Sequence, residues 1–417
     1  MPKSTYFAAA LPLLLLPLSS LAQTAMSAGT APQAAAQQEP AEEGGRALKF
    51  GNVNVFPSAE LRWGYDDNIT QAPDTAGEPA LSSTMWVLNA GLTADLEYKG
   101  DRYSLDYLGS FTRYTASSLD NVENHTLRLQ GANIFDVRNA LRWQAGLVDG
   151  YDPRGSTDAT TSAAQAPSHY RTYRVGGTYA YGAEGAKGRL EGDLFFSTKE
   201  YLNNRVTMRT ADVDSTELNG RFFWRVMPKT SAVLDIRYAN YDYVAVDAGL
   251  DSDSLSLLVG ANWSATAATS GSFRVGHVSR RYDSRADFSG LSWEAGVTWK
   301  PLTYSTFTFT TGRNVNDTTS GLPGSVGDYV LGTNYGVNWT HEWRSNLRSE
   351  VAWNHTKSDY DGIDRLDKLD TYKVGMYYDF RRWMNAGVEF NFSDRRSNVS
   401  GFNFNRLQSL GVVRAKF

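Results

Sequence analysis

Between residues 293 and 309, bulky apolar side chains alternate with small polar ones. Trp293, Ala295, Val297 and Trp299 alternate with Glu294, Gly296 and Thr298. After a corner at Lys300-Pro301-Leu302-Thr303, Phe307 and Phe309 alternate with Thr306, Thr308 and Thr310. A period of two puts one set on each face of a β-strand, and a Pro-containing corner between two such stretches predicts a hairpin turn. The alternation begins near residue 54 and runs to the end. Ala59, Leu61, Trp63 and Tyr65 oppose Glu60 and Arg62; Leu218, Phe222 and Trp224 oppose Glu217, Asn219 and Arg221; Val388, Phe390 and Phe392 oppose Glu389 and Asn391. About eighteen such segments recur, each near the ~10 residues that a tilted membrane strand needs.

The connections sort by length. Short turns are predicted at Lys99–Arg102, Asp136–Asn139, Gly182–Lys187, Met227–Thr230, Ser264–Ser270, Lys300–Tyr304, Glu342–Asn346 and Arg381–Arg382. Longer Asp/Asn/Gly/Ser-rich loops are predicted at Asp67–Ser83, Ala116–Val122, Tyr151–Ser168, Leu202–Asp212, Tyr243–Leu250, Asp317–Gly327, Tyr360–Leu366 and Ser397–Phe402. A soluble sandwich or propeller has no reason to alternate loops in this way. A transmembrane antiparallel up-and-down β-barrel does, with tight periplasmic turns and longer extracellular loops. The fold class is therefore all-β, and an even strand count places both termini in the periplasm. The Trp/Phe face then meets lipid and the Thr/Ser/Glu face lines the lumen. Trp224, Trp299, Tyr304, Trp339, Trp343, Phe380 and Trp383, all beside predicted short turns, form an aromatic girdle.

The ends fit an exported chain. Residues 1–22 pair Lys3 with an apolar run from Ala8 to Leu18 and a Ser20-Leu21-Ala22 site, which reads as a secretory signal peptide cleaved after Ala22. Residues 23–50 are rich in Ala, Gln, Glu and Pro and read as a flexible periplasmic arm, leaving 51–417 for the barrel. Beyond the signal, no stretch reaches the ~20 apolar residues of a membrane-spanning helix, so a membrane location requires a barrel. The final strand closes on Phe417, resembling the C-terminal signal read by the barrel-assembly machinery. Composition agrees: the 417 residues are 13% aromatic and 21% charged. The expected surroundings are outer-membrane lipids, with no nucleic acid partner.

Candidate chemistry is sparse. There is no Cys, so disulfides and thiolate chemistry are excluded. The five His (His125, His169, His277, His341 and His355) have no Ser or Asp at a telling spacing, and no HxxH or HExxH occurs. Neither an enzyme, a metal site nor a cofactor is expected. The run Asp359-Tyr360-Asp361-Gly362-Ile363-Asp364 lacks the EF-hand pattern and reads as a solvated acidic loop. The lumenal parity is more informative. It collects Arg62, Arg128, Arg142, Arg174, Arg189, Arg221, Arg237, Arg274, Arg348 and Arg414 with Glu60, Asp95, Glu97, Asp106, Glu191, Asp193, Glu217, Asp235, Glu294, Glu350 and Glu389. These charges form either a cross-strand ladder that stiffens the wall or an Arg-biased track for an anionic polymer. Their near balance of sign favours the ladder.

The first strand and its exit, Ala59-Glu60-Leu61-Arg62-Trp63-Gly64-Tyr65-Asp66-Asp67-Asn68-Ile69, resemble the GYDDN opening of the family described as "Putative beta-barrel porin 2". The repeated aromatic-basic corners are also similar to that family. Its members accompany capsule and exopolysaccharide gene clusters. The resemblance therefore implies a conduit passing a polysaccharide across the outer membrane, with a periplasmic polysaccharide-export protein as a further partner. A general or sugar-selective diffusion porin and a non-conducting scaffold for assembly or adhesion remain the alternatives.

Overall fold

The computed structural model describes residues 47–73, 80–155, 166–245, 249–264, 268–318 and 327–416. They form a single antiparallel sheet of nineteen strands. β1 (Leu48–Phe50) is only three residues long. The other strands are β2 (Val53–Asp66), β3 (Ser83–Tyr98), β4 (Asp101–Tyr114), β5 (Val122–Ile134), β6 (Asn139–Asp152), β7 (Ser168–Tyr181), β8 (Gly188–Tyr201), β9 (Val213–Met227) and β10 (Thr230–Tyr243). They continue with β11 (Ser252–Trp263), β12 (Thr269–Tyr282), β13 (Phe288–Leu302), β14 (Ser305–Asn316), β15 (Val330–Arg344), β16 (Leu347–Tyr360), β17 (Arg365–Arg381), β18 (Met384–Ser397) and β19 (Phe404–Lys416). Each pairs with the next, and β19 pairs back onto β2 from Gln408↔Asp66 to Lys416↔Ser58. The eighteen long strands thus close into a barrel, which leaves no edge along this seam.

Side-chain parity decides what the wall faces. Leu61, Trp63, Leu194, Phe196, Leu255, Leu257, Val259, Val388 and Phe390 are among many large apolar side chains left exposed on the outer face. An apolar coat of this extent is stable only against another apolar phase. No helix among the described residues is long and apolar enough to cross a membrane; the strands make the crossing.

The two ends of the barrel differ. One carries connections of two to six residues, such as Lys99–Gly100 and Thr303–Tyr304; the other carries most of the longer ones, including 115–121 and 202–212. At Lys99–Gly100 both central residues have positive φ (53° and 90°), the hairpin turn whose twist matches the strands it joins. The Asp136 carboxylate closes another turn by accepting the Arg138 and Asn139 backbone N–H groups at 2.7 and 3.0 Å. These bonds hold its carboxyl below the usual carboxylate range.

Three details depart from the sequence expectation. β13 runs on through Lys300 and Pro301 to Leu302, so the turn itself is Thr303–Tyr304, and the pairing with β14 slips between Trp299 and Leu302. A bulge suits Pro301, which has no N–H to give to a ladder. A loop at 283–287, which the pattern did not register, joins β12 to β13, and the β16–β17 connection is only residues 361–364. Length alone therefore sorts the two ends imperfectly. Finally, residues assigned to the flexible arm contribute β1, which pairs Leu48↔Val55 and Phe50↔Val53. β19 stops opposite Ser58, so β1 covers the stretch of β2 edge that the last strand does not reach.

Candidate functional site: the lumenal wall

The inward parity brings most of the predicted charged residues together in two arcs. On β6 to β13, Glu191 accepts from Arg142 (3.1 Å) and Arg221 (3.0 Å) and pairs with Arg189 at 2.9 Å. Arg221 also reaches Asp193 at 2.9 Å. Next to it, Arg237 donates to Asp235 (2.6 Å) and Glu294 (2.8 Å), and Arg274 lies 3.3 Å from the same Asp235, whose side chain has no exposure. Arg174 donates from both terminal nitrogens to both Glu217 oxygens at 2.9 Å, the fork geometry of the strong Arg–carboxylate pair.

The second arc spans the seam. Arg414 donates to Glu60 and, at 2.7 Å, to Glu389, which also accepts from Tyr377 Oη at 2.6 Å. Arg62 pairs with Glu60 at 2.8 Å. Glu350 accepts from Lys373 at 3.0 Å. Arg348 lies over the Tyr377 ring at 5.1 Å rather than against a carboxylate. Arg128 stands opposite Asp106 in register without an ion pair among the described residues, and Asp95 faces Ser104 across the β3–β4 ladder. Each pair in these arcs lies within one strand or joins strands no more than three places apart around the wall, so the links run along it and not across the lumen. Buried charges need such partners, because an unpaired one carries a desolvation penalty of several kcal/mol.

Several arginines missing from the candidate set are as well anchored. Arg280 lies between the rings of Tyr241 and Tyr282, 4.2 and 5.1 Å from their centroids, and donates to Asp317 at 2.6 Å. Tyr243 and Tyr282 donate to the same Asp317 at 2.6 and 3.0 Å, fixing the start of the β14–β15 loop. Arg365 donates to Asp367 at 2.6 Å and sits over the Tyr360 and Phe402 rings. Arg406 donates to Asp66. Parity could have found all three. Arg280 shares the parity of Arg274, and Arg406 that of Arg414. The inward tyrosines hid them, because an aromatic at this end of a strand does not mark the lipid face.

The predicted girdle residues lie at the short-turn end. Trp224, Trp299, Tyr304, Trp343, Phe380 and Trp383 are exposed there. Trp339 is half-buried between Phe307 and His341, with its indole N–H donating to Ser305 at 2.9 Å. His125 and His355 lie on the outer face beside Tyr107 and Trp353. His169 accompanies Asp149 and Arg171 on the same face. No group of His, Cys, Asp or Glu among the described residues could hold a metal. Phe417, the expected assembly signal, lies outside the described residues, as do the signal peptide and most of the arm.

One sector of the wall has a different chemistry. Apart from Val330 and Tyr360 at the far strand ends, the inward positions on β14 and β15 are Thr, Asn and Gly until Glu342 near the turn, and those on the adjoining half of β16 are Ala, Asn, Thr and Ser.

Among solved structures the chain is similar to a BenF-like porin from Pseudomonas fluorescens Pf-5, at 10% identity and TM-score 0.49, covering 88% of this chain and all of that one. It is also similar to OccAB2 of Acinetobacter baumannii, at 12% identity and TM-score 0.46, covering 88% and 98%. A third likeness is to the FrpB iron transporter of Neisseria meningitidis, at 11% identity and TM-score 0.48; the match takes in 84% of this chain but only 64% of the transporter. No curated protein sequence matches it. Residues 42–417 match the family described as "Putative beta-barrel porin 2". With that match over nearly its whole length and a closed eighteen-strand wall, the chain belongs to this porin family, as an outer-membrane β-barrel with a pore or transport role.

Proposed function

We propose that the barrel is a passive conduit through which a polysaccharide leaves the cell across the outer membrane. The observation that carries the conduit is the wall itself. Its lumenal charges pair with one another along the strands, while uncharged polar side chains such as Thr310, Asn334 and Asn354 stay exposed on the inner face. A permeant that must both enter and leave needs weak, repeated contacts, and such a surface supplies them. The polymer comes from the resemblance of Tyr65-Asp66-Asp67-Asn68 and the aromatic-basic corners to a family that accompanies polysaccharide gene clusters. In this reading the short turns and both termini face the periplasm, where a polysaccharide-export protein delivers the chain, and the signal peptide is removed after Ala22.

A deletion strain tests it. Loss of surface or secreted polysaccharide, restored by the full chain, is the expected result. Normal secretion from the deletion strain removes the export reading and leaves a diffusion porin in its place.

A further inference from the structure

The polar inward-facing side chains that stay exposed in the middle of the wall, among the described residues, are Thr310, Asn334 and Asn354. All three belong to the uncharged sector and are close neighbours. Gly336 pairs with Thr310 on one side and with Asn354 on the other, and Asn334 stands opposite Gly312. A Cβ placed on Gly336 would come within 2.5 Å of Thr310 Oγ1 and 2.8 Å of Asn354 Oδ1, and one on Gly312 within 2.9 Å of Asn334 Oδ1. A hydroxyl and an amide therefore converge over the Gly336 backbone, so closely that a larger residue at 336 would push them apart. None of the three makes a side-chain hydrogen bond to another described residue, whereas most inward arginines and carboxylates on the flanking arcs are engaged. Asn338, on the same face, also has an amide oxygen without a partner.

We infer that this Thr310–Gly336–Asn354 cradle, extended by Asn334, is a contact site for an uncharged polyhydroxylated chain, that is, for neutral saccharide units. The inference rests on the conduit reading and names the sector of the wall that the chain touches. Thr and Asn side chains each both donate and accept, as sugar hydroxyls do, so the two surfaces can exchange hydrogen bonds with each other and with water at little net cost. No charge has to be stripped of solvent, and no single contact is strong enough to stop the chain.

The test uses the purified full-length barrel in planar bilayers, with a neutral linear glucan oligomer added as the blocker. The wild-type current is expected to be interrupted by the glucan with little dependence on salt. Thr310→Val combined with Asn354→Leu should raise the half-blocking concentration about tenfold, the effect of two modest hydrogen bonds, with conductance kept. Gly336→Ala, which keeps both polar groups but forces them apart, should weaken the block as well, and Thr126→Val on a different sector should not. Equal block in wild type and both cradle variants overturns the site. So does a tighter, salt-sensitive block by an acidic oligosaccharide, which would place recognition on the charged arcs. A wild-type barrel that conducts without being blocked overturns the site and leaves the conduit standing; one that does not conduct removes the conduit, and the site with it.

Discussion

Arg406 on β19 donates to both carboxylate oxygens of Asp66 on β2, through Nε at 3.1 and 3.0 Å and Nη2 at 2.5 Å. Asp66 has no solvent exposure and also accepts from Gln408 at 2.8 Å and from the Asn68 backbone N–H at 3.0 Å. Asp67 accepts the Leu407 backbone N–H, and Asn68 donates to the Asn405 carbonyl. The Asp-Asp-Asn run that carries the family resemblance is therefore a latch across the seam of the barrel. Replacing Asp66 with Ala leaves the Arg406 charge short of its acceptor and is expected to cost about 2–3 kcal/mol, the scale of hydrogen bonds to charged groups. The temperature at which the folded band is lost on seminative gels should fall. An unchanged midpoint would mean that the backbone ladder alone holds the seam.

Arg237 is expected to be structural. It is shared by Asp235, with no exposure, and Glu294, so Arg237→Ala leaves both carboxylates to the more distant Arg274, at 3.3 and 3.7 Å, and should cost about 3 kcal/mol. Reversing Arg221 and Arg237 to Glu together, the probe of lumen charge that parity alone would suggest, adds two carboxylates to a cluster that already holds Glu191, Asp193, Asp235 and Glu294. The double variant is expected to fail in assembly. Wild-type yield of heat-modifiable barrel from it would contradict the ladder reading.

On the outer face, Leu257 lies at the middle of β11 and is 53% exposed. Leu257→Arg should reduce insertion, since Arg near the bilayer midplane of a barrel costs about 2–4 kcal/mol, whereas Leu257→Phe should be neutral. Equal recovery of both variants in the outer-membrane fraction would reverse the assignment of faces.

Orientation is open to a simple chemical test, because the chain has no Cys. Leu119, in the loop after β4, and Val137, in the turn after β5, are both exposed. Leu119→Cys should react on intact cells with a maleimide too bulky for the pore, and Val137→Cys only after the outer membrane is opened. The opposite pattern would place the short turns outside.

Much of this architecture is legible in the sequence because a barrel strand has a period of two and two different solvents. Leu61, Trp63 and Tyr65 against Glu60 and Arg62 already state which side is which. The corner predicted from Lys300 turns only at Thr303–Tyr304, because a bulge lets Pro301 continue the strand, and no alternation reveals a bulge. The five-residue loop at 283–287 leaves no clear mark on the pattern, because Arg280, Arg281 and Tyr282 blur the polarity on which it depends. Partner choice was least legible. Arg237 reaches Glu294 three strands away, at a distance set by small residues between them such as Ser256 and Gly276, and register of that kind comes only from the closed wall.

Trp299, Phe307 and Trp339 stack on the outside of β13 to β15 with centroids 5.4 and 6.0 Å apart. Over β6 to β13 and across the seam the wall is braced on its inner face by ion pairs. On β14 and β15 the bracing lies outside instead, on the membrane face, where aromatic contact is worth about 0.5–1.5 kcal/mol per pair beyond burial. The barrel thus keeps its mechanical reinforcement on one surface and its clearance on the other. The sector with the freest inner face can therefore be as firm as the rest of the ring.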